Sequence, residues 1–306
     1  MKAKKAKSTA KSAKQLERGT AKPVRGAASQ AYPKPGETGG GLIRELISFL
    51  RSNADLIESG AGSIGSQILS GSGPVVLAVS GGSDSLALAH LLVHYGRKVV
   101  DRARLRILHI DHGWRGAESE ADAVAVKRFA AQWSVPYTGV KLRKPTEAGR
   151  SLEDLARRQR IDVFEAQAAD LILTAHTADD LAETLLWRLA QGESLTHGGG
   201  IAVRYGRMLR PILFARKERL AKYLQEEKVA WREDRTNHEG RFLRSKMRQS
   251  LMPEFERLFP KGIENLASLA LQAQRRAHIL KSELSASEVF GAQGLQKRNV
   301  SPKSPR

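Results

Sequence analysis

The sequence predicts an α/β protein, a doubly wound parallel sheet followed by a small helical domain. Three observations carry this. Val75 to Val79 is a continuous apolar run of strand length and Leu86 to Tyr95 places apolar residues at helical spacing, so the residues between them form a strand-to-helix turn. The same alternation of strand and helix then repeats up to residue 190, the pattern of parallel strands joined by crossover helices. Ser151 with Asp154, and Thr177 with Asp180, have capping-box spacing that fixes two of the helix starts.

Residues 1 to 41 read as a disordered basic tail. Ten Lys or Arg face only Glu17 and Glu37 there, apolar periodicity is missing, and Pro33, Pro35 and Gly39 to Gly41 close the stretch. An organellar transit peptide is the alternative, from the Ser and Ala content and the scarcity of acids. Leu42 to Ser59 repeats apolar residues at helical intervals, with Leu42, Ile43, Leu46, Ile47, Leu50, Leu56 and Ile57 on the face to be buried. Gly60, Gly62 and Gly65 then spell GxGxxG, but a dinucleotide fingerprint follows a strand and opens a helix, whereas this one follows a helix, so it reads as linker.

Strands are predicted at Val75 to Val79, Leu105 to Ile110, Tyr137 to Leu142 and Leu171 to Ala175, with helices over 86–95, 119–133, 152–168 and 179–190. Ala215 to Val229 reads as a helix burying Leu220, Tyr223 and Leu224, and 261–290 as another, before a frayed tail. The expected divisions are therefore 1–41, an α/β domain over 42–213, a helical domain over 214–290, and a disordered tail over 291–306.

The chain has 306 residues, enough for two domains and a sizeable core. It has no cysteine, which excludes disulfides, iron–sulfur ligation, thiolate zinc sites and a cysteine nucleophile. No run of 18 apolar residues and no apolar core behind the N-terminal lysines is present, so a soluble, cytoplasmic protein without a membrane partner is expected. Fifty-one Lys and Arg against 32 Asp and Glu leave a formal charge of +19, which favours a polyanionic partner, nucleic acid above all.

In doubly wound sheets, ligands sit beyond the carboxyl ends of the strands, near the switch in strand order. Three polar segments fall there. Ser80, Gly81, Gly82, Ser83, Asp84 and Ser85 are small and permissive, suited to converging backbone N–H groups on a phosphate at a helix N-terminus. An ordinary Gly/Ser turn with a Ser or Asp cap is the plain alternative. His109, Asp111 and His112 end the second strand. They suit a metal by residue type, but along a strand His109 and Asp111 share a face that His112 leaves, so a pocket wall that also positions Arg115 near phosphate is the preferred assignment. Asp180 and Glu183, three apart on one helix face, suit an ammonium group or Mg²⁺, while Asp179 points elsewhere; acidic residues complementing the helix dipole are the plain alternative.

The helix before the fourth strand carries Glu153, Arg157 and Arg160 along one side, a surface salt-bridge row by default but next to the cleft. Further on, Arg232, Arg235, Arg241, Arg244, Lys246 and Arg248 cluster around Trp231, Asn237 and Phe242, a mixture that suits RNA phosphates and unstacked bases as well as it suits a solvated basic face.

The SGGSDS turn matches the SGGxDS signature of the PP-loop ATP pyrophosphatases, the adenine-nucleotide alpha-hydrolase-like fold. Taken together, SGGSDSLAL, HIDHGWRG, SLEDLARRQRIDVF, AHTADDLAET, RPIL and WREDRTN resemble, in order and spacing, the bacterial tRNA(Ile)-lysidine synthase family over about residues 74 to 255. The resemblance implies ATP and Mg²⁺ as cofactors, L-lysine and a tRNA(Ile) with a CAU anticodon as partners, and adenylation of the wobble cytidine followed by attack of lysine at C2 to give lysidine.

It also implies site residues. Ser80 to Ser85 would bind ATP, with Asp84 the metal ligand. Asp84, His109, His112, Asp180 and Glu183 would be catalytic, the Asp180 and Glu183 pair holding the lysine ammonium. Arg115, Glu153, Arg157, Arg160, Arg235, Asn237, Arg241, Arg244 and Arg248 would contact substrate or tRNA. A homodimer stays open. The loop Gln191 to Ile201 and Ser245 depart from the family pattern, and the further C-terminal domain of many relatives has no counterpart in these residues. Two rivals remain at this point: a metal-dependent phosphohydrolase using His109, Asp111, His112, His176 and Asp179, and a non-catalytic RNA-binding protein.

Overall fold

A computed structural model of the chain describes residues 36–57, 71–111, 116–142, 152–232 and 246–296. Six strands form one sheet: β1 Val75–Ala78, β2 Leu105–Asp111, β3 Tyr137–Lys141, β4 Leu171–Leu173, β5 Arg204–Tyr205 and β6 Met208–Leu209. Their order is β3-β2-β1-β4-β6-β5, and every neighbouring pair is parallel except β5 with β6. Nine α-helices are found among the described residues: α1 Glu37–Ser52, α2 Ala54–Ile57, α3 Ser83–Tyr95, α4 Ala117–Gln132, α5 Leu152–Glu165, α6 Ala178–Ala190, α7 Lys217–Glu226, α8 Met252–Leu258 and α9 Gly262–Gln296.

Strand periodicity explains the two-sided core. On one face Val75, Leu77, Leu105, Ile107, Leu171 and Leu173 pack with apolar residues of α3, α4, α6 and α7; on the other, Val76, Leu108 and Ile172 pack with Phe164 of α5. Covering both faces is what makes the strands continuous apolar runs and the sheet doubly wound. The chain runs from β1 outward to β2 and β3, then returns to place β4 on the opposite side of β1. That reversal opens a crevice beyond the carboxyl ends of β1 and β4.

Several boundaries differ from expectation. Helix α1 begins at Glu37, inside the stretch expected to be tail, because Gly39 lies against Tyr223: a Cβ there would come within 2.8 Å of the ring. The glycines that suggest a linker serve close packing instead. The helix expected to run to Ser59 breaks at Asn53, whose Nδ2 donates to the Phe49 carbonyl at 2.7 Å. Gly60, Gly62 and Gly65, and the tail over 1–35, lie outside the described residues. Helix α9 continues past 290 to Gln296. The β5–β6 hairpin, turning at Gly206 with φ +57°, is an addition to the expected elements.

The expected division at 213/214 is crossed by core packing. Leu220, Tyr223 and Leu224 of α7 are fully buried in the main core, and the Tyr223 hydroxyl lies 2.7 Å from His90 Nδ1 on α3. The described residues all belong to one compact unit. Among the described residues no helix is long and apolar enough to cross a membrane.

Candidate active site

The turn after β1 sits at the mouth of the crevice. Val79 N still pairs with the Leu108 carbonyl at 2.9 Å; Gly81 then takes φ +101°, a conformation strained for any residue with a side chain. A Cβ on Gly81 would find only ordinary contacts with Val126 and Asp122, so conformation, not space, requires glycine there. Two serines brace the loop from inside. Ser85 Oγ accepts from Ser80 N at 3.1 Å, lies 3.1 Å from Ser80 Oγ, and donates to the Gly82 carbonyl at 3.0 Å. Helix α3 starts at Ser83 with no side-chain cap, so its first-turn amides keep their capacity for an anion.

Asp84 lies in that first turn. Burial pushes its carboxyl up to about 6; Lys217 opposes the shift, and Asp180 and Asp179 add to it. The first turn of α3 therefore presents an acid that gains from a cation beside it.

One wall comes from β2. His109 is buried, and its Nδ1 bonds the Val79 carbonyl at 2.8 Å, fixing the last residue before the turn. Its Nε2 is buried and finds no hydrogen-bond partner among the described residues. Asp111 is buried next to Tyr137, whose phenol is raised by burial and by that carboxylate. His112 and Arg115 lie outside the described residues.

The other wall is the start of α6, where the expected capping box is present: Thr177 Oγ1 accepts from Asp180 N at 3.4 Å, and Asp180 Oδ2 accepts from Thr177 N at 2.9 Å. The remaining oxygen of Asp180 meets Lys217 Nζ at 2.6 Å. Burial raises the Asp180 carboxyl, but Lys217 and Thr177 outweigh it and hold it below the usual carboxylate range. Glu183 is buried, and its Oε2 accepts from Arg248 Nε at 2.8 Å; the same guanidinium lies 3.9 Å from Asp180.

Asp179 points elsewhere, accepting from Lys217 N at 2.9 Å and from Arg216 Nε at 3.2 Å. Arg216 also binds Glu256 at 2.5 Å and Glu264 at 2.9 Å, tying α6 to α8 and α9. His176, whose Nδ1 lies 3.1 Å from Thr174 Oγ1, is driven down to about 4 by burial and then by Arg210.

A cationic group borders this wall. Arg157 and Arg160 are exposed on α5, and both act on Arg210, whose guanidinium burial and these neighbours lower to about 10. Glu153 belongs to the first turn of the same helix, its side chain outside the described residues. Arg235, Asn237, Arg241 and Arg244 also lie outside the described residues. Arg248, expected on a tRNA face, pairs with Glu183 while its side chain stays 43% exposed.

The turn, His109, Asp180 and Glu183 are thus gathered at one end of the sheet. Sequence reasoning missed Lys217, Arg216 and Arg210. A signal existed for Lys217: a lysine at the first position of a helix opposes the helix dipole and calls for a compensating acid. Among the described residues no three His, Asp or Glu side chains come together to hold an ion, and His112 of the phosphohydrolase alternative lies outside them.

Residues 57–255, well over half of the chain, match the model of the PP-loop domain family. The tRNA(Ile)-lysidine synthase of Solibacter usitatus is 37% identical over 64% of this chain and 44% of its own length. That of Thermus thermophilus is 37% identical over 70% and 42%, and that of Symbiobacterium thermophilum 40% over 64% and 42%. The chain therefore spans less than half the length of these relatives. Among solved structures, the U34-tRNA thiolase of Methanococcus maripaludis aligns with a TM-score of 0.55 over 78% of this chain and 80% of that one, at 15% identity, a likeness of fold alone. Because the matched stretch holds the sheet, the glycine turn and both walls of the crevice, the chain belongs to the PP-loop domain family.

Proposed function

We propose that the chain performs the tRNA(Ile)-lysidine synthase reaction, joining L-lysine to C2 of the wobble cytidine of a CAU-bearing tRNA at the expense of ATP. The observation that carries this is the convergence of the uncapped SGGSDS turn with Asp84 and the Asp180 and Glu183 face at a single switch point. The names of the relatives support the substrate class.

The residues present fit a magnesium nucleotide. Open first-turn amides of α3 suit phosphate oxygens, and Asp84, whose ionised form burial disfavours, would hold Mg²⁺, which reverses that electrostatic penalty. ATP supplies the AMP group that turns the cytidine C2 oxygen into a leaving group. The chain's own residues do the rest. The serine brace keeps the amides aimed, and His109 holds the Val79 carbonyl at the base of the turn. Arg157 and Arg160 offer exposed charge for RNA phosphates.

A lysine ε-amine has an unperturbed pKa of about 10.4, so freeing it at pH 7 costs about 4.6 kcal/mol unless the site helps. Asp180 and Glu183 would bind the ammonium and accept the proton it loses on attacking C2. Every group used lies on one copy of the chain, so no dimer is required. A tRNA substrate is in keeping with a cytoplasmic reaction.

The test is incubation of the full chain with ATP, Mg²⁺, radiolabelled lysine and a CAU-bearing tRNA(Ile) transcript. Label in the RNA, with one AMP and one pyrophosphate released per lysine, is expected, and Asp180→Asn should abolish it while sparing most tRNA binding. Absence of label, with phosphoester hydrolysis that needs a transition metal and no ATP, would favour the phosphohydrolase. RNA binding without turnover would favour a binding module.

A further inference from the structure

The carboxylate pair expected to receive an ammonium is already paired with cations of the chain itself: Asp180 with Lys217 at 2.6 Å and Glu183 with Arg248 at 2.8 Å. The cations are the outer members. Their side chains are 34% and 43% exposed, whereas those of Asp180 and Glu183 are 18% and 6% exposed. Anything entering the cleft therefore meets positive charge first. A free amine is repelled by that layer; a triphosphate is drawn to it.

The backbone at Lys217 is held in place. Its backbone N–H is pinned to Asp179, and the neighbouring Ala215 carbonyl accepts from Ala178 N at 2.9 Å, so the segment is stitched to the start of α6. From that anchor the side chain reaches toward the phosphate-binding turn, where Lys217 is the strongest charge acting on Asp84 and Arg248 also interacts with it. Three carboxylates, Asp84, Asp180 and Glu183, share these two cations.

We propose that Lys217 and Arg248 are triphosphate-binding residues for which Asp180 and Glu183 are resting partners, so that an arriving nucleotide draws the cations away and uncovers the carboxylate pair for the amine. This rests on the function proposed above and adds an order to it: nucleotide first, amine second. The exchange balances charge at each stage. Carboxylates that lose two side-chain cations regain a substrate ammonium, and the cations find phosphate oxygens in their place. Reciprocity requires that amine and triphosphate then favour one another's binding.

Equilibrium binding to the full chain in Mg²⁺ tests this, with α,β-methylene-ATP, AMP and adenosine as nucleotide probes, and radiolabelled L-lysine titrated with and without the methylene analogue. Wild type should bind lysine about tenfold more tightly when the analogue is present, within the usual span of coupling between sites. Lys217→Met should weaken the triphosphate analogue about tenfold, leave adenosine unchanged, and remove the dependence of lysine binding on nucleotide, whereas Lys217→Arg keeps both properties. Arg248→Met provides a second route to the same changes. A merely structural lysine would shift all three nucleotides together or none.

An unchanged ratio of triphosphate to adenosine affinity in Lys217→Met overturns the assignment, as does a wild-type lysine affinity indifferent to nucleotide. If lysine incorporation into tRNA fails but the ratio still falls in Lys217→Met, the cation assignment stands and the choice of acceptor is what fails.

Discussion

Replacing Asp84 with Asn should make the ligand-free protein more stable and abolish the proposed lysine incorporation. The carboxyl titrates near 6 in the fold against an ordinary value of 3.8, chiefly through burial. A raised folded pKa means that the ionised group costs stability: the stabilising share is full below the unfolded pKa and is lost as pH rises through 6. The shift corresponds to about 3 kcal/mol at pH 7.5, which residual solvent screening trims to about 2 kcal/mol. For a chain of this size that is a rise in Tm of roughly 4–8 °C.

Thermal melts of wild type and Asp84→Asn at pH 7.5 and pH 5 check this. The advantage of the variant should be about halved at pH 5, where the folded wild-type carboxyl is already mostly protonated. Adding Mg²⁺ and ATP should raise the wild-type Tm and leave that of the variant nearly unmoved. A variant less stable than wild type at pH 7.5, or an advantage equal at both pH values, would refute the electrostatic reasoning.

Other outcomes follow from the same geometry. His90 and His94, their rings tilted with centroids 4.2 Å apart, are lowered to about 3 and about 4, mainly by burial. Their contribution is present above pH 6.5 and lost as pH falls toward those values, so each should cost about 2 kcal/mol at pH 5, and urea melts that stay flat between pH 7 and 5 would count against it. Arg216→Ala strips three carboxylates of one shared partner and should destabilise by about 2 kcal/mol, read as a lower urea midpoint at unchanged slope. Exchanging Arg157 and Arg160 for Gln should weaken the proposed tRNA binding and reduce the salt slope of log K by about 1 for each phosphate no longer neutralised; an unchanged slope would take both residues off the proposed RNA path.

Much of the sheet was legible because parallel strands buried on both faces leave an unambiguous trace, as Val75 to Val79 does. The start of α6 was legible for a local reason, since a cap depends only on residues three apart. The β5–β6 hairpin was not: two residues per strand leave no periodicity to detect, and pairing with β4 supplies what the local sequence lacks. Glycine misled at Gly39 because its helix penalty is local while its benefit, room for Tyr223, comes from a residue far along the chain. At the site, residue types revealed the acids but not their partners. Arg216 and Lys217 sit in RKERLAKYLQ, which reads as a solvated basic helix until the chain is folded against Asp179 and Asp180.

The seat of α7 bears on how small a working fragment can be made. Leu220, Tyr223 and Leu224 plug the sheet from above with no exposed surface, and at about 1.5–3 kcal/mol for each large apolar side chain their loss would erase much of a typical domain's stability. Truncation after Leu213 would also remove Lys217, and with it the anchor of Asp180. A minimal nucleotide-binding piece must therefore retain the chain through Glu227, whose carboxylate closes over Tyr95 at 2.7 Å and finishes the plug.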